Sequence, residues 1–222
     1  MPHKRKDLKI EGSHLWYLVG LIASDGCLSS DGRHIDITSS DYNHLLMLKD
    51  SLGLTNAITK KRGSNNLVAF HMQIANKNFY EFLLSIGLTP KKSLTIERVE
   101  IPQAYFYDFL RGLIDGDGGM QRWVHCTNRR EQWNLRISSG SKRFLEWLQN
   151  EIVRFIGAHG KLYAERPSTF RLKFGKMAAR EIIKQCYYKG CLGLDRKIKL
   201  AKECFGSYKG WSKSKTVHCE LA

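Results

Sequence analysis

Acidic residues are scarce in this chain: 21 Asp and Glu stand against 36 Lys and Arg in 222 residues, a formal net charge of +15. That imbalance points to a polyanionic partner rather than to a merely solvated surface, and nucleic acid leads that class. Long hydrophobic runs are missing as well. No apolar stretch reaches the roughly 18 residues of a membrane span, and the basic start Met1-Pro2-His3-Lys4-Arg5-Lys6 leads into no signal-peptide core. No membrane partner is therefore expected; a soluble protein of the bacterial cytoplasm or an organelle is. Cysteine is limited to Cys27, Cys126, Cys186, Cys191, Cys204 and Cys219. Only Cys186-x4-Cys191 and His125-Cys126 approach metal-ligand spacing, so free thiols are expected rather than zinc or disulfides. A hydrophobic fraction of 42% excludes wholesale disorder and supplies one large or two small cores.

Against this background two stretches nearly repeat. Leu18-Val19-Gly20-Leu21-Ile22-Ala23-Ser24-Asp25-Gly26 and Leu110-Arg111-Gly112-Leu113-Ile114-Asp115-Gly116-Asp117-Gly118 place Asp25 and Asp117 92 positions apart. Each is an apolar helical run with small residues at i and i+4, Gly20/Ser24 and Gly112/Gly116, which lets two helix backbones approach along one face. Each ends in Asp-Gly, and the glycines are expected to supply left-handed exits. Two such helices packed together would bring Asp25 and Asp117 side by side, a donor set suited to a divalent metal. Asp115, two residues before Asp117, reads as a helix-surface or capping carboxylate, with a supporting role near the metal as the alternative.

The same order of elements follows each repeat. In the first half, Cys27 to Ser39 reads as a strand pair. Asp41 then caps a helix bearing Leu45, Leu46, Leu48 and Leu52 and stopped by Gly53. Ala57–Arg62 and Leu67–Ile74 flank the turn Gly63-Ser64-Asn65-Asn66, and Asn76 caps a helix with Phe79, Phe82, Leu83 and Ile86 that stops at Gly87. In the second half, strands from Met120 to Ser139 enclose a basic loop, and a helix runs from Ser141 to Ile156 with Gly157 as its stop. A hairpin from Gly160 to Gly175 turns near Arg166-Pro167-Ser168, and a helix spans Lys176 to about Tyr187. Ile37/Ile137 and Phe70/Phe170 keep a steady offset of 100 positions. The chain reads as an internal duplication of α+β class: an N-terminal domain over 1–95, a linker over 96–103 with Pro102, and a C-terminal domain over 104–222 whose tail after Phe205 lacks periodicity.

Paired motifs, their spacing and the α-β-β-α-β-β-α order resemble the LAGLIDADG homing endonucleases in their single-chain, two-motif form. The resemblance covers almost the whole chain. It implies two pseudo-symmetric domains with saddle-shaped antiparallel sheets on the DNA major groove, and motif helices packed at the domain interface through Gly20, Ser24, Gly112 and Gly116. It also implies metal-binding aspartates at Asp25 and Asp117, and basic residues near the metals at Lys92 and Lys197. The carbonyls of Ser24 and Gly116 would add oxygen ligands. Departures are Ala23 and Ser24 in the first motif, Arg111 in the second, and Ser39-Ser40 and Ser139-Gly140, where relatives often carry Gln or Lys near the attacking water.

The implied reaction is hydrolysis of DNA phosphodiesters by a monomer using Mg2+, with Mn2+ or Ca2+ substituting for binding. It yields a staggered double-strand break with 3′ overhangs at an asymmetric site of about 20 bp, in support of intron mobility. A strand of eight to ten residues at ~3.3 Å each spans about 30 Å, roughly nine base pairs. Side chains placed to contact DNA are Arg33, Lys60, Arg62, His71 and Gln73 in the first half, with Arg122, Arg136, Lys161, Arg171 and Lys173 in the second. Arg129 and Arg130 fall in a loop expected to touch backbone. Arg pairs with guanine and Gln with adenine, whereas Lys holds phosphate. Most aromatics read as core, with Trp123 and Trp133 set apart as DNA contacts. The competing reading is an intron RNA maturase or a non-cleaving DNA-binding regulator on the same fold.

Overall fold

The structure, a computed structural model, describes residues 11–62 and 68–206. The basic start, the turn over Gly63-Ser64-Asn65-Asn66, Cys219 and the tail beyond Gly206 lie outside the described residues. Two compact units divide the chain: one runs to Lys92 and includes Val99–Gly112, the other comprises Ser93–Arg98 and everything from Leu113 onward.

The first unit opens with α1 (Ser13–Ser24), whose residues Leu15 to Ala23 are all buried, as an apolar run without a polar face requires. Then come β1 (Cys27–Leu28), β2 (His34–Ser39), α2 (Tyr42–Ser51), β3 (Ile58–Arg62), β4 (Val68–Ala75) and α3 (Lys77–Ser85). The strands form one antiparallel sheet in the order β1-β2-β4-β3. Alternation in β2 turns Ile35 and Ile37 inward, against Ile74 and Met72 of β4. Both helix starts behave as the sequence suggests: Asp41 accepts from the His44 amide at 3.2 Å and Asn76 from the Phe79 amide at 2.9 Å. Gly53 and Gly87 take left-handed backbone at the exits.

In the second unit α4 (Phe106–Asp117), which begins in the first, leads into β5 (Gly118–Val124), β6 (Glu131–Ser139), α5 (Lys142–Ile156), β7 (Lys161–Arg166), β8 (Thr169–Phe174), α6 (Lys176–Cys186) and α7 (Asp195–Gly206). Its sheet order is β5-β6-β8-β7. The register repeats the first sheet at an offset of 100: Ser39 faces Phe70 and Ser139 faces Phe170, while Asp36 faces Gln73 and Arg136 faces Lys173. Thus the α+β class and the duplicated element order stand. One element was not foreseen, α7, because its buried residues are Lys197, Ala201 and Cys204 rather than large aliphatics.

The set-aside tryptophans separate. Trp133 is only 1% exposed and donates its indole N–H to Glu131, so it belongs to the core and not to a DNA contact. Trp123 is 42% exposed.

Candidate functional site

Asp25 caps the C-terminus of α1 and is exposed; its amide and that of Gly26 both donate to Leu21 O, at 2.9 and 3.1 Å. Asp117, also exposed, is the last residue of α4. The glycines that follow do not exit left-handed, contrary to expectation: neither belongs to the positive-φ set. They are glycine for another reason. A Cβ on Gly26 would lie 2.6 Å from Ile22 Cα, and one on Gly118 would lie 2.5 Å from both Cα and O of Ile114, so each chain turns back tightly over its own helix.

Those turns are held by lysines. The Lys92 ammonium is buried and donates to Gly26 O. The Lys197 ammonium, likewise buried, donates to Gly118 O at 3.0 Å, to Asp115 O at 2.7 Å and to Ile114 O. In each lobe, a lysine remote in sequence grips the carbonyl directly after the motif aspartate. A buried ammonium is tolerable only when its donors are satisfied, and helix C-terminal carbonyls carry the matching partial negative charge.

Asp115 supports the second grip. It is 2% exposed; Oδ1 accepts from Tyr187 OH at 2.7 Å and Oδ2 from the Leu194 amide at 2.9 Å. The segment between α6 and α7 is thereby tied to the motif helix, which fixes where α7 presents Lys197. Gly193 fits beside that carboxylate, since a Cβ there would stand 3.2 Å from Oδ2.

Within the first unit the small residues do bring helices together. A Cβ on Gly112 would sit 2.2 Å from Tyr17 O, 2.8 Å from Leu21 N and 2.9 Å from Gly20 Cα. Here α4 and α1 touch backbone to backbone. The Ser24 hydroxyl folds back onto Gly20 O and Leu21 O of its own helix. Arg111, the second motif's departure, is fully buried, bonds Asp108 Oδ1 at 2.7 Å and lies 5.1 Å over the Tyr17 ring, whose hydroxyl meets His44 Nε2 at 2.7 Å.

The two strand-to-helix junctions match. Ser39 Oγ accepts from the Asp41 amide and Ser139 Oγ from the Ser141 amide, both at 3.1 Å. Both hydroxyls therefore shape the turn. At Gly140 a Cβ would lie 2.5 Å from Ser93 O, which leaves no room for a side chain there.

Strand parity sorts the DNA-contact candidates. On the first sheet, His71, Gln73, Asp36, Thr38, Thr59 and Lys61 share the face opposite the buried aliphatics, whereas Lys60 and Arg62 fall on the other face, opposite Phe70 and Val68 of β4. Arg33 is exposed just before β2. On the second sheet, Arg136, Lys161, Lys173 and Arg171 share a face with Gln121, Asn134 and Trp123. Arg122 has the opposite parity and is engaged by Glu131 at 2.8 Å and Glu203 at 3.7 Å. Arg129 and Arg130 are exposed in the β5–β6 loop.

Residues 13–87 match the family model described as a LAGLIDADG-like domain. This is a LAGLIDADG fold. No curated protein matches the chain in sequence. Among solved structures, full-length DUF199/WhiA from Thermatoga maritima matches with a TM-score of 0.59 at 17% identity, over 93% of this chain and 65% of that one. The present chain thus spans just under two thirds of that relative. I-DmoI in complex with DNA and Ca matches with a TM-score of 0.56 at 15% identity, over 86% of this chain and 97% of the other. I-SmaMI bound to uncleaveable DNA matches with a TM-score of 0.58 at 14% identity, over 86% and 88% respectively.

Both motif ends offer an exposed carboxylate beside backbone carbonyls, hard oxygen donors of the kind divalent cations take. No group of three or more His, Cys, Asp or Glu that could hold a metal ion is found among the described residues. The cysteines among them, Cys27, Cys126, Cys186, Cys191 and Cys204, form no disulfide. No helix among the described residues is long and apolar enough to cross a membrane. Two features escaped sequence reasoning: Asp36, a lone acid among the strand residues of the first half that gave no signal, and the anchoring role of Asp115, which depends on Tyr187 and Leu194, 72 and 79 positions away.

Proposed function

We propose that this protein is a site-specific DNA endonuclease that makes a magnesium-dependent staggered double-strand break at an asymmetric target of about 20 bp. The observation that carries the reading is the repeated motif end: an exposed aspartate, then a glycine that folds back over the helix, then a buried lysine on that glycine's carbonyl, built twice with different chain segments. A merely structural Asp-Gly would need no such lysine. In this reading Asp25 and Asp117, with the carbonyls of Ser24 and Gly116, hold divalent metal. Bound magnesium supplies positive charge to the phosphate and acidifies water. Lys92 and Lys197 fix the carbonyls beside each aspartate and keep a cation next to the reacting phosphate. The cationic face of the second sheet and the polar face of the first supply the DNA surface, with Lys and Arg on phosphates and Arg and Gln on base edges.

Cleavage of a plasmid carrying the selected target, in the presence of magnesium, tests this. Asp25→Asn or Asp117→Asn should abolish linearisation while leaving DNA binding largely intact. Uncleaved but bound target with the parent protein would overturn the enzyme reading. It would favour the second one, a non-cleaving DNA-binding regulator, which the likeness to DUF199/WhiA over 93% of the chain supports. The same assay with intron RNA addresses the maturase alternative.

A further inference from the structure

The polar face of the first sheet has a carboxylate at its centre. Asp36 sits on β2, and its Oδ1 accepts from His71 Nε2 at 2.6 Å and from Gln73 Nε2 at 3.0 Å, while Oδ2 accepts from Ser29 Oγ at 3.2 Å. At the equivalent cross-strand pair of the second sheet stand Arg136 and Lys173. Duplication has thus given one position two cations in one lobe and an acid with an amide in the other.

An acid on a face offered to DNA repels phosphate and fits only where base edges approach. Asp36 is itself three-quarters covered and already accepts three hydrogen bonds, so it has little left to offer a base. Gln73 is exposed. Its carboxylate partner can only accept, so the Gln73 amide must turn its NH2 toward Asp36. That leaves a second N–H and the carbonyl Oε1 pointing outward in a defined order, the donor–acceptor pair that meets adenine N7 and N6 in the major groove.

Resting on the DNA-binding reading above, we infer that Asp36 is a positioning residue for sequence readout: it locks the Gln73 amide in the orientation that selects adenine at one base pair of the first half-site. Without the carboxylate, the amide can flip and present its acceptor and donor in either order. The pair of cations at Arg136 and Lys173 makes the corresponding place in the second half-site a phosphate or guanine contact.

Binding selection from a pool of randomised duplexes, in calcium, tests the inference with the full chain. The parent protein should enrich adenine by about tenfold or more at one position of the half-site read by the first sheet. Gln73→Ala should flatten that position. Asp36→Ala should flatten the same position to within about twofold and leave the others unchanged. Asp36→Asn keeps the size of the side chain but can donate as well as accept, so it should flatten that one position as Asp36→Ala does and leave the others unchanged, an outcome that neither a truncation cavity nor a general loss of folding can mimic. An adenine preference unchanged in Asp36→Ala, or lost at every position alike, would overturn the inference while leaving the DNA-binding reading in place. A parent protein that binds no duplex at all would overturn both.

Discussion

Lys197 Nζ donates to Gly118 O at 3.0 Å, and Gly118 is the residue after the motif aspartate Asp117. Since Lys92 makes the same contact with Gly26, each lobe places an ammonium one residue from its exposed carboxylate.

On the proposed endonuclease reading, removing either ammonium should harm both the fold and the chemistry. Lys197→Met strips three carbonyls of their donor and is expected to destabilise the chain by about 1–3 kcal/mol, with cleavage falling further than the loss of folded protein accounts for. Equilibrium urea unfolding beside a plasmid assay at saturating magnesium separates the two effects.

Gly112→Ala is the sharpest packing test. The added methyl would stand 2.2 Å from the Tyr17 carbonyl, a backbone atom that cannot swing away. Helix separation is expected, with a loss of about 1–3 kcal/mol or more in urea unfolding. Gly157→Ala, where a Cβ meets nothing within 4 Å, should show only the strain of its left-handed backbone.

Arg111 and Asp108 are both buried and bonded to one another. Arg111→Met alone removes the guanidinium from a buried carboxylate and should be destabilising by about 3–5 kcal/mol, whereas Arg111→Met with Asp108→Leu should recover part of that loss. A thermodynamic cycle over the four proteins measures the coupling.

A proton-linked effect is expected at Asp31. A hydrogen bond from His34 holds its carboxyl at about 2, against the ordinary 3.8. Because the folded value lies below the unfolded one, the stabilisation is complete above about pH 4 and disappears as pH falls through 2. In His34→Ala the Asp31 carboxyl should titrate closer to its ordinary value by NMR, held below it only by the Arg33 and residue 34 amides that still donate to Oδ1.

Thiol reactivity should divide the cysteines. Burial pushes the Cys204 thiol up to about 11, whereas Cys27 and Cys126 are exposed. At pH 8 in native protein an alkylating reagent should modify Cys27 and Cys126 quickly and Cys204 only on unfolding.

Much of the architecture could be read from residues alone, for reasons that are local. Asp41, Asn76 and Ser141 announce helix starts through their own side chains, and Gly157 announces a stop through its own backbone. Face assignment in β3 was harder. Lys60, Lys61 and Arg62 are consecutive polar residues with no alternation to mark inside from outside, and only pairing with His71 and Ala69 shows that Thr59 and Lys61 share the face of Gln73. Helix α7 hid because its inward stripe begins with a lysine, whose burial makes sense only once the carbonyls at the end of α4 are seen. Gly26 and Gly118 were recognisable as necessary glycines, but proximity to the preceding helical turn, not a left-handed backbone, is what demands them.

Because residue n of β2 or β4 and residue n+100 of β6 or β8 meet like-numbered neighbours, a cross-strand pair can be transplanted from one half to the other without touching any aliphatic layer beneath it. Writing Asp and Gln into positions 136 and 173, or Arg and Lys into 36 and 73, would exchange recognition chemistry while conserving scaffold. On the proposed DNA-binding reading, a twin-lobed chain of this kind is open to reprogramming one half-site at a time, which is also the route by which one duplicated gene acquires an unsymmetrical target.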